Sequence, residues 1–207
     1  MSKYGHRPHD WFEGLVNKMG GESAAEAFLR GELTLSVPTR AWRESEGVIY
    51  LSVTSDGTTG PDWITRLEGK GFRLNQYSKS VLTSGAFKST TGVTTEIAVL
   101  KGSFFTDDDR ITSKIRSEAG KRKWQKPNAE VACLIREQFS DKEIEVMGLV
   151  WLVVMHEPIK DSGGDPGLLG ANRDDDGRWL YAVYDGPDSR WNRENGFAFS
   201  VPQASAL

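Results

Sequence analysis

The chain carries one cysteine and three histidines among 207 residues, and its longest apolar run, Leu149 to Met155, stops at seven. Each shortage removes a class of protein. A lone thiol, Cys133, closes no internal disulfide, which excludes a small secreted scaffold held by bridges. Seven apolar residues fall far short of the roughly 20 that cross a bilayer as a helix. The first residues, Met1 to Arg7, lack the apolar centre of a secretory signal, so the expectation is a cytoplasmic protein with no membrane partner. Internal repeats, low-complexity blocks and long Pro/Gly/Ser linkers are also missing, which excludes solenoids and tethered arrays.

What is present reads as a globular chain. With 38% hydrophobic and 27% charged residues, the length suffices to bury one substantial core, and a single domain over 1–207 is expected. The net charge of −3 is too balanced for a general nucleic-acid binder, yet it is unevenly spread. Arg110 to Lys126 holds seven basic residues against Glu118 alone, whereas Asp141 to Leu207 holds six basic against twelve acidic. The simplest consequence is mutual attraction inside one fold, which neutralises part of the basic run before it meets a partner.

A helical lead-in is expected over 10–31. Asp10 caps a helix carrying Trp11, Leu15 and Met19 and closing at Gly20-Gly21, and Ser23-Ala-Ala-Glu26 is a capping box for a second. A mixed sheet with helices follows over 33–155. Leu33 to Val37 and Ala41 to Glu44 read as short strands, and Ser45-Glu46-Gly47 turns the latter into the strand from Val48. Pro61 suits a first helical position, with Trp63, Ile64 and Leu67 as a buried stripe. Phe72 to Leu74 resumes extended, Tyr77 and Val81-Leu82 suggest a short helix, and Thr94 to Leu100 has apolar residues on both faces. Thr106 with Asp107, Asp108 and Asp109 reads as a helix start, and Ser140-Asp-Lys-Glu143 as another capping box. Leu149 to Met155 fits a strand buried on both sides. In the C-terminal hairpin region, 178–201, Arg178 to Tyr184 and Gly196 to Val201 read as an antiparallel strand pair, the last with the pattern of an edge strand. The fold class is therefore α/β to α+β, a single-domain mixed β-sheet flanked by helices.

The clearest chemical signal is Val48 to Thr54, then Ser55-Asp-Gly-Thr-Thr-Gly60, then Pro61 to Glu68: a strand, a hydroxyl-rich glycine loop and a helix start. Such a turn aims backbone N–H groups and a helix N-terminus at one point, the requirement for holding an anion. The loop matches neither the phosphate-loop pattern nor the dinucleotide fingerprint. If the strands at Val48, Thr94 and Leu149 run parallel, their C-terminal ends place this loop, Lys101-Gly-Ser103 and His156-Glu157 on one edge. Ser55, Gly57, Thr58, Thr59, Gly60 and Lys101 then form a site for a small anionic, phosphate-like ligand, with His156, Glu157 and Asp56 as candidate catalytic acid–base groups. The simpler account makes the loop a capped turn and His156 a hydrogen-bonded structural histidine.

Two readings from other classes compete. Lys121, Arg122, Lys123, Trp124 and Lys126 interleave an aromatic with basic residues, as base stacking with phosphate pairing requires, although basic residues also belong at a helix C-terminus. Trp179, Tyr181, Tyr184, Trp191, Phe197 and Phe199 lie among Asp and Asn turns, a composition suited to recognising a sugar or a peptide, or to a core beneath polar turns. Asn172-Arg-Asp-Asp-Asp-Gly177 opens like a calcium loop, but its twelfth position is Val183 rather than glutamate, so it reads as a polar turn. His6 and His9 with Asp10 lack further ligands, no metal is expected, and no motif implies a cofactor. Cys133, among Val131, Ala132, Leu134 and Ile135, reads as a buried core thiol.

Overall fold

The computed structural model describes residues 8–33, 41–174 and 176–202. Contacts divide the chain into two units, 1–40 and 41–207. In the first, α1 (His9–Met19) ends on Gly20 in the left-handed region and is followed by α2 (Glu22–Leu29). Both helices were expected, but their starts differ. Pro8 and Gly21 occupy the N-cap positions, and neither helix has a side-chain cap. Asp10 and Ser23 therefore fall inside the helices, and the capping box at Ser23–Glu26 does not form. The strand expected at 33–37 and His6 lie outside the described residues, except for Leu33.

The second unit is built on one mixed sheet. Its strands are β1 (Trp42–Ser45), β2 (Val48–Asp56), β3 (Arg73–Leu74), β4 (Thr91–Lys101), β5 (Trp151–Val154), β6 (Ile159–Lys160), β7 (Pro166–Asp174), β8 (Gly177–Tyr184) and β9 (Asn195–Ser200). Their order is β1-β2-β4-β9-β5-β7-β8-β3, with β6 paired to β7. The first hairpin forms as expected, Glu46 (φ 53°) and Gly47 (φ 75°) giving the doubly positive φ that suits a twisted two-residue turn. Five α-helices are found among the described residues of this unit: α3 (Gly60–Gly69), α4 (Gln76–Thr83), α5 (Thr112–Lys121), α6 (Glu130–Gln138) and α7 (Asp141–Val146).

The sheet has a core on each face. On one, Ile49, Leu51, Val53, Ile97, Val99, Leu152, Val154, Leu169 and Leu180 meet Trp63 and Leu67 of α3, Val81 and Leu82 of α4, and the apolar stripe of α6. On the other, Val48, Ala98, Leu100, Val153, Leu168, Phe197 and Phe199 meet, among the described residues, only Ile115 and Ala119 from any helix. This asymmetry leaves the second face thinly covered.

Three expectations are corrected. Parallel β2, β4 and β5 are not found: β2 and β4 run antiparallel, with Val48 opposite Leu100 and Asp56 opposite Thr91. Thr106 and the three aspartates form a turn in which the Thr106 hydroxyl accepts from the Asp109 N–H, and α5 begins only at Thr112 because Ile111 bridges to Arg190. Finally, β9 is central rather than an edge, antiparallel to β4 and parallel to β5. Its alternation of large and small residues reflects two unequal cores, Ala198 lying on the helix-rich face and Phe197 and Phe199 on the other. The C-terminal antiparallel pair is β7 with β8, Asp174 opposite Gly177.

Candidate functional site

The antiparallel pairing of β2 and β4 separates the expected site residues. Lys101 lies beside the start of β2, eight residues and therefore about 26 Å along the strand from Asp56. It pairs with Glu44 at 2.8 Å. His156 follows β5, which β4 and β9 separate from β2, a lateral offset of about 14 Å. Lys101, His156 and the Ser55–Gly60 loop thus do not meet at one edge.

Within the loop, the anion is the protein's own. Asp56 accepts from the Thr58 hydroxyl at 2.6 Å and the Thr58 N–H at 3.1 Å, and its other oxygen pairs with Arg66. Hydrogen bonds from Thr58 and Arg66 hold its carboxyl down at about 2. Arg66 also grips Glu137 of α6, which Lys70 shares. The Gly57 N–H donates to Thr90, the Thr59 hydroxyl to Asp62, and Ser55 accepts from the Val93 N–H. Thr90 in turn donates through both its N–H and its hydroxyl to the buried Glu130. Gly60 is required by close approach, since a Cβ there would lie 1.8 Å from the Leu82 carbonyl oxygen. The loop is thereby consumed in joining β2, α3, α4 and α6.

His156 is committed to structure in the same way. The Glu157 carbonyl, 2.6 Å from Nδ1, only accepts, so Nδ1 carries the proton. Nε2 then accepts from the Leu169 N–H at 2.9 Å. Burial pushes the imidazole down to about 4, and neither nitrogen is left for proton transfer. Exposed Glu157 pairs with Lys126, whose hydrogen bond lowers its pKa.

The basic segment is largely neutralised. Arg110 is buried, donating to the carbonyls of Gly102 and Phe105 and pairing with Asp107. Arg116 pairs with Asp185, and Lys121 and Arg122 share Glu118. Trp124 is half-buried against Tyr50 and Phe199, with Arg122 over its ring. Lys114 and Lys123 alone in the segment lack an ion pair among the described residues. On α1, the exposed His9, Asp10 and Glu13 bring ligand atoms within 4.8 Å of one another.

The thinly covered face carries a different constellation. Trp179 and Tyr181 stack at 4.9 Å and 25°, outside both hydrophobic cores. Tyr181 meets Trp151 at 6.0 Å, Trp151 meets Trp191 at 6.5 Å, and Trp191 meets the buried Phe197 at 5.5 Å. The rings form one ladder from core to surface, anchored by the Trp191 indole N–H on Thr112 at 3.0 Å. Phe197 and Phe199 are core residues, whereas Trp151, Trp179, Tyr181 and Trp191 are half-buried and Tyr184 is exposed. Gly170, directly beneath Trp151, leaves no room for a side chain: its Cβ would lie 2.7 Å from the indole nitrogen.

Beside the ladder is a polar hollow. Strand register sets Asn195, Trp151, Asn172 and Trp179 in one row across β9, β5, β7 and β8. A cavity of about 260 Å³ opens along it, lined by Val150, Trp151, Asn172, Arg173, Asn192 and Asn195, with Asp174 and Glu194 completing its wall. Asn195 is 4% exposed and its side chain has no hydrogen-bond partner among the described residues. The Asn172 Oδ1 and Trp151 Nε1 atoms are buried without partners. Meanwhile the backbone around them is clamped: Arg136 of α6, wholly buried, donates to the Asn172 carbonyl, and Arg173 donates to that of Leu149.

Composition singles out Trp179, Tyr181 and Trp191 but not Trp151, Asn172 or Asn195. The two asparagines meet only through a third strand, and the only local sign at Asn172 is the calcium-loop-like stretch, whose end pairs as a hairpin. No protein-family model, curated protein or solved structure matches the chain.

Proposed function

We propose that the protein is a recognition module that binds a carbohydrate on the aromatic face of its sheet. The observation that carries this reading is the Trp179–Tyr181 stack, continued by Trp151, on a face that takes only two core residues from any helix among the described residues. Aromatic faces carry partial negative charge and attract the C–H groups on the flat side of a sugar ring, while surrounding amides and charges take its hydroxyls. Asn172, Asn192, Arg173, Asp174 and Glu194 supply such groups beside the stack. Two acids against one arginine at this rim make a poor surface for a polyanion such as nucleic acid. A protein partner is the less favoured occupant, because charged residues interrupt the apolar area beside the rings, Arg73 lying 5.5 Å from the centre of the Trp179 ring and Asp176 accepting from its indole N–H, whereas stable protein interfaces bury about 1,200 Å² or more around an apolar centre.

The test is titration of the full chain with cellotetraose, maltotetraose and chitotetraose, followed by tryptophan fluorescence and by saturation-transfer NMR. At least one is expected to bind saturably, with Trp179→Ala weakening it about tenfold, the equivalent of ~1.4 kcal/mol for one stacking face. Absence of binding by all three, or undiminished binding by Trp179→Ala, refutes the reading.

A further inference from the structure

The hollow beside the aromatic stack is specific enough to name a chemical group. Asn195 and Asn172 each carry an acceptor oxygen and a two-hydrogen donor, and a carboxamide oxygen kept out of water without a partner, as the Asn172 Oδ1 is, costs free energy that a ligand can recover. Asn195 is 4% exposed, lines the cavity and has no side-chain partner among the described residues; Asn172 leaves its Oδ1 buried and unpaired. Their positions are set, not incidental: the row Asn195–Trp151–Asn172 follows from strand register, and Arg136 and Arg173 tie down the strand ends that carry Asn172. The atoms left without partners here are a carboxamide oxygen and an indole nitrogen, while Arg173, Asp174 and Glu194 complete the wall, so donor–acceptor complementarity rather than charge selects the substituent. At about 260 Å³ the cavity lies just below the usual range of ligand clefts, roughly 300–1,000 Å³, and so takes a substituent rather than a whole ligand. The substituent that fits carries one acceptor and one donor, and has a small apolar end to meet Val150 and the Trp151 ring.

We infer that this cavity holds the acetamido group of an N-acetylated sugar, whose pyranose ring lies on the Trp151–Tyr181–Trp179 shelf. The acetamido carbonyl accepts from a carboxamide N–H of one asparagine, its N–H donates to the carboxamide oxygen of the other, and its methyl packs on Val150 and Trp151. The inference rests on the carbohydrate reading above and assigns its selectivity. The row spans three strand spacings, about 14 Å, so ring and substituent are accommodated side by side.

The experiment compares chitotetraose with cellotetraose, which differ only in bearing an acetamido group or a hydroxyl at C2 of each ring, by isothermal titration calorimetry on the full chain. Chitotetraose is expected to bind at least tenfold more tightly, and Asn195→Asp and Asn172→Ala, each checked for unchanged far-UV circular dichroism, are expected to erase most of that preference. Equal affinity for the two tetrasaccharides overturns the acetamido assignment while leaving the aromatic shelf as a sugar site. Failure of both to bind, with maltotetraose also inert, overturns the carbohydrate reading itself. Preferential binding of an acetylated, amidated dipeptide such as N-acetyl-Ala-Ala-amide over both sugars overturns the assignment in favour of peptide amides.

Discussion

Removing the imidazole of His156 is expected to change how the fold responds to acid. In the native state the ring is enclosed, its Nδ1–H donating to the Glu157 carbonyl and Nε2 accepting from Leu169, and burial lowers its pKa from 6.5 to about 4. A histidine depressed on folding adds stability above its unfolded pKa and loses it as pH falls towards its folded pKa, because the unfolded chain takes up the proton first. The window is therefore about pH 6.5 down to about 4. Between pH 7.5 and 5 the linkage amounts to roughly 2 kcal/mol, and about 3 kcal/mol if carried below pH 4. This window precedes that of the carboxylates: Asp56, Glu118, Glu137 and Glu157 have lowered pKa values, and their contributions fall away only below about pH 4.5. Urea unfolding of the wild type and of His156→Gln at pH 7.5, 6.5, 5.5 and 5.0 measures the effect. With a urea slope of ~2–3 kcal/mol per molar, the wild-type midpoint should fall by about 0.7–1 M across this range. The glutamine side chain keeps one donor and one acceptor but does not titrate, so the variant, though less stable at pH 7.5, should lose far less. Parallel curves for the two proteins would refute the assignment of a buried, neutral imidazole.

Two further outcomes follow from packing. Gly60→Ala places a Cβ 1.8 Å from the Leu82 carbonyl oxygen and 3.3 Å from Phe87, a backbone obstacle that no rotamer relieves. It should cost about 3 kcal/mol or more, read as a lowered urea midpoint, and near-wild-type stability would show that the α3–α4 approach is not tight. Cys133 is fully buried and burial pushes its thiol well above the usual range, so Ellman's reagent should label it only when urea unfolds the chain; rapid labelling of the native protein would contradict the α6 packing.

Local chemistry made much of the second unit legible. The Ser140–Glu143 capping box forms with both reciprocal bonds, Pro61 sits in the first turn of α3, and Glu46-Gly47 makes the β1–β2 turn. Each is decided within four residues by hydrogen bonds that the segment makes with itself. Where a local pattern failed, a distant contact had taken its place. The acids after Thr106 do not open α5 because Ile111 and Arg190 pair across the chain. Ser23–Glu26 makes no box because the chain enters α2 through Gly21.

The candidate site divides along the same line. Ser55 to Gly60 does form a strand–loop–helix turn that organises a carboxylate, as its composition required, but the carboxylate is Asp56 and the cation is Arg66. That substitution of an internal anion for a ligand is invisible in the spacing of glycines and hydroxyls. The aromatic residues of the C-terminal region were equally visible as a group, while which of them are core and which form a shelf was not. Phe197 is covered on β9, whereas Trp179 and Tyr181 lie on β8, two strands beyond β5 and outside both cores.

By itself, the sequence determined the mixed α+β class, the position of most helices, the turns, and which strands are apolar enough to lie inside, because propensity, capping and burial patterns are properties of neighbouring residues. Only the tertiary structure decided strand direction and order. These depend on pairings such as Asn195 with Trp151 and Trp151 with Asn172, made between segments whose separation along the chain says nothing about their register. That register parted Lys101 and His156 from the loop at Ser55 and brought two unpartnered asparagines to the sides of one tryptophan.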